Sequence, residues 1–265
     1  MQHVFRSVLR TLPAIAIVSF SSAAQAGVLW AETFDAAAPG QAVSAAPLNW
    51  TAVQGTIVVG ASPHPGWQGN AIVAAASTNA PQNYEGAWAQ LALPVLPTVG
   101  IVTLSYDAWA PTTEYGAQVE LSLEGDARAL SISNWANCCM RNVWYVYAHS
   151  AFTGSSVIDS LSPPDFMRNT TVHVSVSVDY DQHLFSASFD DGLSPYTTPS
   201  FAFAGNPRIA GLSVWIDKRG GSLGGDFDNF RITAVPQPET YAMLLAGLAL
   251  VGIAARRRER ATAAV

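Results

Sequence analysis

Cleavage of a glycosidic bond by two carboxyl groups needs both in one cleft, about 5–9.5 Å apart. Residues i and i+2 of a strand share a face, so carboxylates at that spacing are the pattern to look for. Three pairs have it: Asp179/Asp181, Glu124/Asp126 and Asp226/Asp228. The first closes a strand into a turn and the second flanks Gly125, and aspartate is a common turn initiator, so both read more simply as turn residues. Asp226/Asp228 opens the last strand. No Gly-x-Ser-x-Gly elbow is present, and the five histidines (His3, His64, His149, His173, His183) show no paired metal spacing. An enzyme acting on polysaccharide through a pair such as Asp179/Asp181 is therefore the alternative expectation, and a non-enzymatic protein the first.

Acidic residues near the two ends of the body suit calcium better than catalysis. Ca²⁺ takes six to eight oxygens from carboxylates, carbonyls and water. If the first and last strands adjoin, Glu32 and Asp35 approach Asp226 and Asp228; solvated edge carboxylates holding no ion are the simpler reading.

The richest aromatic segment is 135–147. Trp135, Trp144, Tyr145 and Tyr147 are interleaved with Asn137, Arg141 and Asn142. Flat rings stack on sugar faces while amides and guanidinium bond hydroxyls, so Trp135, Arg141, Trp144 and Tyr145 are the candidate polysaccharide contacts. The same residues also read as a core strand, with Val143, Tyr145 and Tyr147 on one face and Trp144 and Val146 on the other. Cys138 and Cys139 are the two cysteines. Adjacent Cα atoms are about 3.8 Å apart, below the usual disulfide range, so a vicinal bridge is strained; two free thiols are the alternative.

The segments that must carry these residues differ sharply in composition. The chain has 265 residues and a formal net charge of −6. Outside 1–26 and 239–265 it holds 7 basic and 17 acidic residues, a net −10, which leaves no basic cluster for nucleic acid. Residues 1–26 contain Arg6 and Arg10, an apolar stretch Leu12–Phe20 and the small-x-small run Ala24-Gln25-Ala26, the layout of a cleaved secretory signal peptide. At the other end, Pro236-Gln237-Pro238 breaks the preceding strand. Tyr241–Ala255 then carries no charge, and Arg256-Arg257-Arg258 close it. A helix over about 240–255, its uncharged part 241–255 roughly 22 Å long, makes a short single membrane crossing that keeps the arginines cytoplasmic and the body outside.

The segment Val235-Pro236-Gln237-Pro238-Glu239-Thr240-Tyr241-Ala242-Met243-Leu244-Leu245-Ala246-Gly247-Leu248, with Arg256-Arg257-Arg258 behind it, closely resembles the PEP-CTERM sorting signal of Gram-negative bacteria. Glutamine at 237 replaces the glutamate of that family's Pro-Glu-Pro. The resemblance implies recognition by an exosortase, a membrane transpeptidase that cleaves near the proline motif, and a setting of exopolysaccharide and biofilm matrix.

Between these ends, short alternating or β-branched runs recur among Gly, Pro, Asn and Asp. Strands are expected at 57–59, 86–93, 101–109, 118–123, 143–147, 172–180, 184–189, 210–216 and 227–234. Val172, Val174, Val176 and Val178 alternate with His173, Ser175 and Ser177, and Asp181-Gln182-His183 turns into Phe185, Ala187 and Phe189 on one face. Glu32-Thr33-Phe34-Asp35 and Gly225-Asp226-Phe227-Asp228-Asn229-Phe230 resemble the first and last strands of concanavalin/laminin-G-like jelly rolls, whose chain ends lie side by side. The expected protein is thus an all-β jelly-roll sandwich over 27–234, between a signal peptide (1–26) and a sorting signal (235–265). It is exported, tethered, then surface-attached or released, and it binds polysaccharide or serves as a purely structural matrix component.

Overall fold

A computed structural model describes residues 26–61, 67, 69–74, 85–110, 117–125, 127–136, 142–154, 157–161, 170–218, 226–235 and 246–253. Residues 1–25 of the expected signal peptide, the motif residues Pro236, Gln237, Pro238 and Glu239, and Arg256–Arg258 lie outside them, as do Cys138, Cys139, Arg141 and Asp126.

The strands are β1 (Gly27–Glu32), β2 (Thr51–Gln54), β3 (Ile57–Ala61), β4 (Asn70–Ala74), β5 (Glu85–Ala92) and β6 (Ile101–Ala110). They continue with β7 (Ala117–Leu123), β8 (Arg128–Ala136) and β9 (Asn142–Ala148), a single helical turn α1 (Ser150–Thr153), and β10 (Val157–Leu161). The rest are β11 (Thr170–Asp179), β12 (Leu184–Asp190), β13 (Tyr196–Thr197), β14 (Phe201–Ala202), β15 (Ile209–Lys218) and β16 (Phe227–Val235). Two antiparallel sheets result. Sheet A has nine strands, ordered β13-β12-β11-β6-β16-β4-β3, with β1 on β16 and β14 on β12. Sheet B has seven, ordered β10-β9-β8-β7-β15-β5-β2.

This is the expected all-β jelly roll. The alternation read from β11 is the reason it forms: Val172, Val174, Val176 and Val178 are buried, and the residues between them face outward. Phe185, Ala187 and Phe189 of β12 do the same. Inward rows from both sheets merge into one core. Between Leu104 and Val176 of sheet A and Leu121 and Ile209 of sheet B, the residual void is only about 10 Å³, at the threshold for a single water. Phe152 of α1 closes one end, fully buried and stacked on Phe203 with ring centres 4.8 Å apart.

The β11–β12 turn shows what its aspartates do. Asp179 Oδ1 accepts the Asp181 and Gln182 amides, and Asp181 Oδ1 accepts the Gly100 amide. These carboxylates hold a turn and its neighbour loop. The first and last strands do adjoin: β1 pairs with β16, with Gly27 opposite Ala234 and Glu32 opposite Phe230.

Candidate functional site

Pairing in sheet B aligns outward side chains across its strands. One row runs Gln54, Trp88, Trp215, Gln118, Ser133 and Tyr145; the next holds Gln90, Ser213, Glu120, Ser131 and Tyr147. The alternation of β15 puts Leu212, Val214 and Ile216 in the core, which leaves Ser213 and Trp215 facing out. Gln54, Trp88, Gln118, Glu120, Arg128, Ser213 and Trp215 enclose an open cavity of about 310 Å³, within the range of small-ligand sites.

Its polar centre is Glu120, 6% exposed although it stands on the outer face. A carboxylate so buried must be paired. Oε2 accepts from Gln118 Nε2 and from Ser131 Oγ, both at 3.0 Å, and Arg128 Nε lies 3.5 Å from Oε1. Ser131 donates its proton to Glu120, so His149 Nε2, 3.1 Å from Ser131 Oγ, must carry a hydrogen and donate to that oxygen. Burial lowers the His149 pKa below its usual value, the nearby Glu120 charge opposes that shift and Arg128 reinforces it.

The aromatic wall depends on a glycine. A Cβ at Gly86 would overlap Nε1, Cε2 and Cζ2 of Trp215, so the indole settles against the bare backbone of β5. Trp215 stands directly opposite Trp88 on that strand. Two indoles beside amides, a hydroxyl, a carboxylate and a guanidinium are the groups that hold a pyranose: apolar faces for its C–H bonds, fixed donors and acceptors for its hydroxyls.

The residues expected to bind polysaccharide fare differently. Trp144 is 3% exposed and packs on Phe189 of the facing sheet at 5.2 Å, so it joins the two sheets and cannot stack on a ligand. That is a correction, and its cause is the period of two: the face carrying Trp144 and Val146 is the inner one. Tyr145, on the other face, is half-buried and lies in the outer row. Trp135 lies on β8 opposite Val143, its side chain outside the described residues. The sequence reading missed Trp88, Trp215 and Glu120. It also missed β8, whose Leu130-Ser131-Ile132-Ser133 alternation was a legible signal.

The four residues considered for calcium converge only in part. Asp228 is 2% exposed and Asp226 is 3% exposed. Glu32 Oε1 accepts the Phe34 amide and Asp35 Oδ1 the Asn70 amide. Asp228 is pushed up to about 7, chiefly by burial; its bond to the Asn229 amide opposes this, and the charges of Asp35, Asp107 and Glu32 add to it. Asp107, unforeseen in the sequence, bonds His173 Nδ1 at 2.7 Å and Asn229 Nδ2 at 2.8 Å, and raises the pKa of His173. Among the described residues, no three His, Cys, Asp or Glu side chains lie close enough together to hold a metal ion.

Among the described residues, none of the carboxylates of the three pairs lines the cavity; Asp126 lies outside them. Asp179 and Asp181 cap a turn, Glu124 pairs with Arg208 at 4.0 Å, and Asp228 belongs to sheet A, with Asp226 just ahead of β16. At the other end of the chain, residues 246–253 are helical and exposed along their whole length, with Leu250 at 68%. Among the described residues, no helix is long and apolar enough to cross a membrane.

Residues 234–258 match the family model of the PEP-CTERM protein-sorting motif. The chain carries a PEP-CTERM sorting motif. Such a motif implies export and C-terminal anchoring or processing. No curated protein matches the sequence. In fold, the body of this PEP-CTERM chain is similar to the CBM2 module of the Lactobacillus casei BL23 phage J-1 evolved Dit, at 12% identity and a TM-score of 0.55, covering 80% of this chain and 97% of that one. It is also similar to the Trypanosoma (T. cruzi) calreticulin globular domain, at 12% identity and a TM-score of 0.53, covering 82% and 92%. A legume lectin-like domain from Entamoeba histolytica aligns over 69% of this chain and 88% of its own, at 10% identity and a TM-score of 0.47. At these identities the likeness is one of fold.

Proposed function

We propose that this protein is an exported, non-enzymatic glycan-binding protein, tethered to the inner membrane by its C-terminal segment until an exosortase cleaves it there, and then attached at the cell surface or released. The observation that carries the glycan reading is the sheet B cavity, where Trp88 and Trp215 flank the buried Glu120 network. Glu120 and Arg128 offset each other, and the body is acidic, so a neutral polysaccharide fits better than a charged one. The outer row from Gln54 to Tyr145 crosses six adjacent strands, about 24 Å at the usual strand spacing, which suits a linear chain lying across the sheet. An exopolysaccharide of a biofilm matrix is the ligand setting that accords with the sorting motif.

The tether reading rests on the helix at 246–253, which has no polar face and is exposed along its whole length. In sequence, the helix lies within the uncharged run Tyr241–Ala255, where the short span is expected. Incubating the protein with neutral linear oligosaccharides, while following both binding and product, tests the proposal. Saturable binding with intact oligosaccharide supports it; release of shorter products overturns the non-enzymatic part, and absence of any binding overturns the glycan part.

A further inference from the structure

Five of the large hydrophobic residues that the body leaves exposed, Val28, Leu29, Val95, Val99 and Ile101, belong to one end of the sandwich. Val28 pairs with Thr233 and Ile101 with Val235, so both stand beside the last residues of β16. Leu29 sits at the irregularity between Val28 and Trp30. Residues 93–100 carry Val95 and Val99 from β5 in sheet B to β6 in sheet A, across this same end. Val95 is 79% exposed, Val99 57% and Val28 48%. Single exposed apolar residues are ordinary, but a group around one point marks an interaction surface.

The chain itself says what meets that surface. It leaves sheet A at Val235, and residues 236–245 lead to the helix at 246–253, apolar on every side and exposed throughout. That connection reaches at most about 35 Å. A lipid phase that takes up the helix is therefore within reach of the same end of the body. Among the described charged groups flanking the end, Asp181 accepts the Gly100 amide, while Glu124 and Arg208, 4.0 Å apart, stay largely exposed. No basic cluster stands there among the described residues, so the surface suits zwitterionic rather than anionic headgroups.

We infer that, in the unprocessed chain, the end of the sandwich formed by Val28, Leu29, Val95, Val99 and Ile101 rests on the bilayer surface, its side chains entering the boundary between headgroups and acyl chains beside the tether. This inference rests on the tether reading given above. Ile209, near Leu93 at the docked end, begins β15, and Trp215 lies six residues further along, about 20 Å away. Docking in this way holds the two indoles clear of the lipid and open to polymer outside, with Arg128 at the near edge of the groove.

The test uses the full chain with phosphatidylcholine vesicles. Flotation with the vesicles reads the tether: a chain that does not float overturns both readings. Hydrogen exchange on the floated protein then reads the docking. Peptides covering 27–32 and 94–101 are expected to exchange about fivefold more slowly in wild type than in Val28→Asp/Val99→Asp, with β11 peptides alike in the two as the check on folding. Leu193→Asp, at an exposed position past β12, is expected to match wild type. Equal exchange in wild type and the double variant, or an equal effect of Leu193→Asp, overturns the docking and leaves the tether standing.

Discussion

The indole of Trp215 occupies the space that a side chain on Gly86 would fill. Strand β5 thus shapes the groove by lacking a Cβ at one point, directly beneath an aromatic wall of its neighbour. Gly86→Ala forces the ring off the sheet without touching the ligand. It is expected to weaken oligosaccharide binding about as much as Trp215→Ala, roughly tenfold or ~1.4 kcal/mol. Isothermal titration of the two variants checks this; full affinity in Gly86→Ala means that the indole position is irrelevant to binding.

Glu120 is a stability element as well as a groove residue. Glu120→Ala leaves Gln118 and Ser131 without their acceptor and Arg128 without its partner. The expected loss is about 2–3 kcal/mol in denaturant unfolding. Glu120→Gln keeps an acceptor oxygen and is expected to lose less. If the alanine variant unfolds at the wild-type midpoint, the network carries no weight.

Trp144 and Tyr145 separate core from groove at adjacent positions. Trp144→Ala opens a cavity against Phe189 and is expected to cost about 3–5 kcal/mol. Tyr145→Ala, on the outer face, is expected to lower affinity for longer oligosaccharides and to leave thermal stability nearly unchanged. A stable Trp144→Ala protein with lost binding would reinstate Trp144 as a ligand contact.

Much of this was legible in the sequence, and the reasons are local. Period-two alternation in β11 and β12 follows directly from a sheet with one buried face, so those strands, their hairpin and the jelly-roll class were readable. All nine expected strands are present; β8, with a legible alternation, and the short β2, β4, β10, β13 and β14 are not among them. The groove was not readable, because it is built across strands far apart in sequence. Gln54, Trp88, Gln118 and Trp215 become neighbours only through the order β8-β7-β15-β5-β2. Trp144 misled for a related reason: an aromatic run fixes which residues share a face, not which face is the inner one.

Asp228 predicts a pH dependence with a definite sign. Its carboxyl is raised in the folded protein from 3.8 to about 7, so the folded state binds its proton more tightly than the unfolded chain does. Its contribution favours folding most at pH below about 4, declines as pH rises from 4 to 7, and is constant above. The raised pKa of His173 acts in the same direction at higher pH, so the comparison must be with a variant. Asp228→Asn is expected to flatten the melting-temperature profile between pH 4 and 7 and to raise it at pH 8. Calcium at Glu32, Asp35, Asp226 and Asp228 would act oppositely, keeping Asp228 ionised and making stability depend on the ion. A melting temperature that is the same in EDTA and in calcium removes that ion; a large rise with calcium establishes it.

The most direct measurement is a titration of the folded protein with a series of neutral linear oligosaccharides, followed by intrinsic tryptophan fluorescence in wild type and in Trp88→Ala/Trp215→Ala. The account predicts a saturable change in wild type that tightens with oligosaccharide length, and its loss in the double variant while the far-ultraviolet dichroism of the β-sandwich is retained. Binding that survives removal of both indoles, or a wild-type protein that no oligosaccharide perturbs, contradicts it.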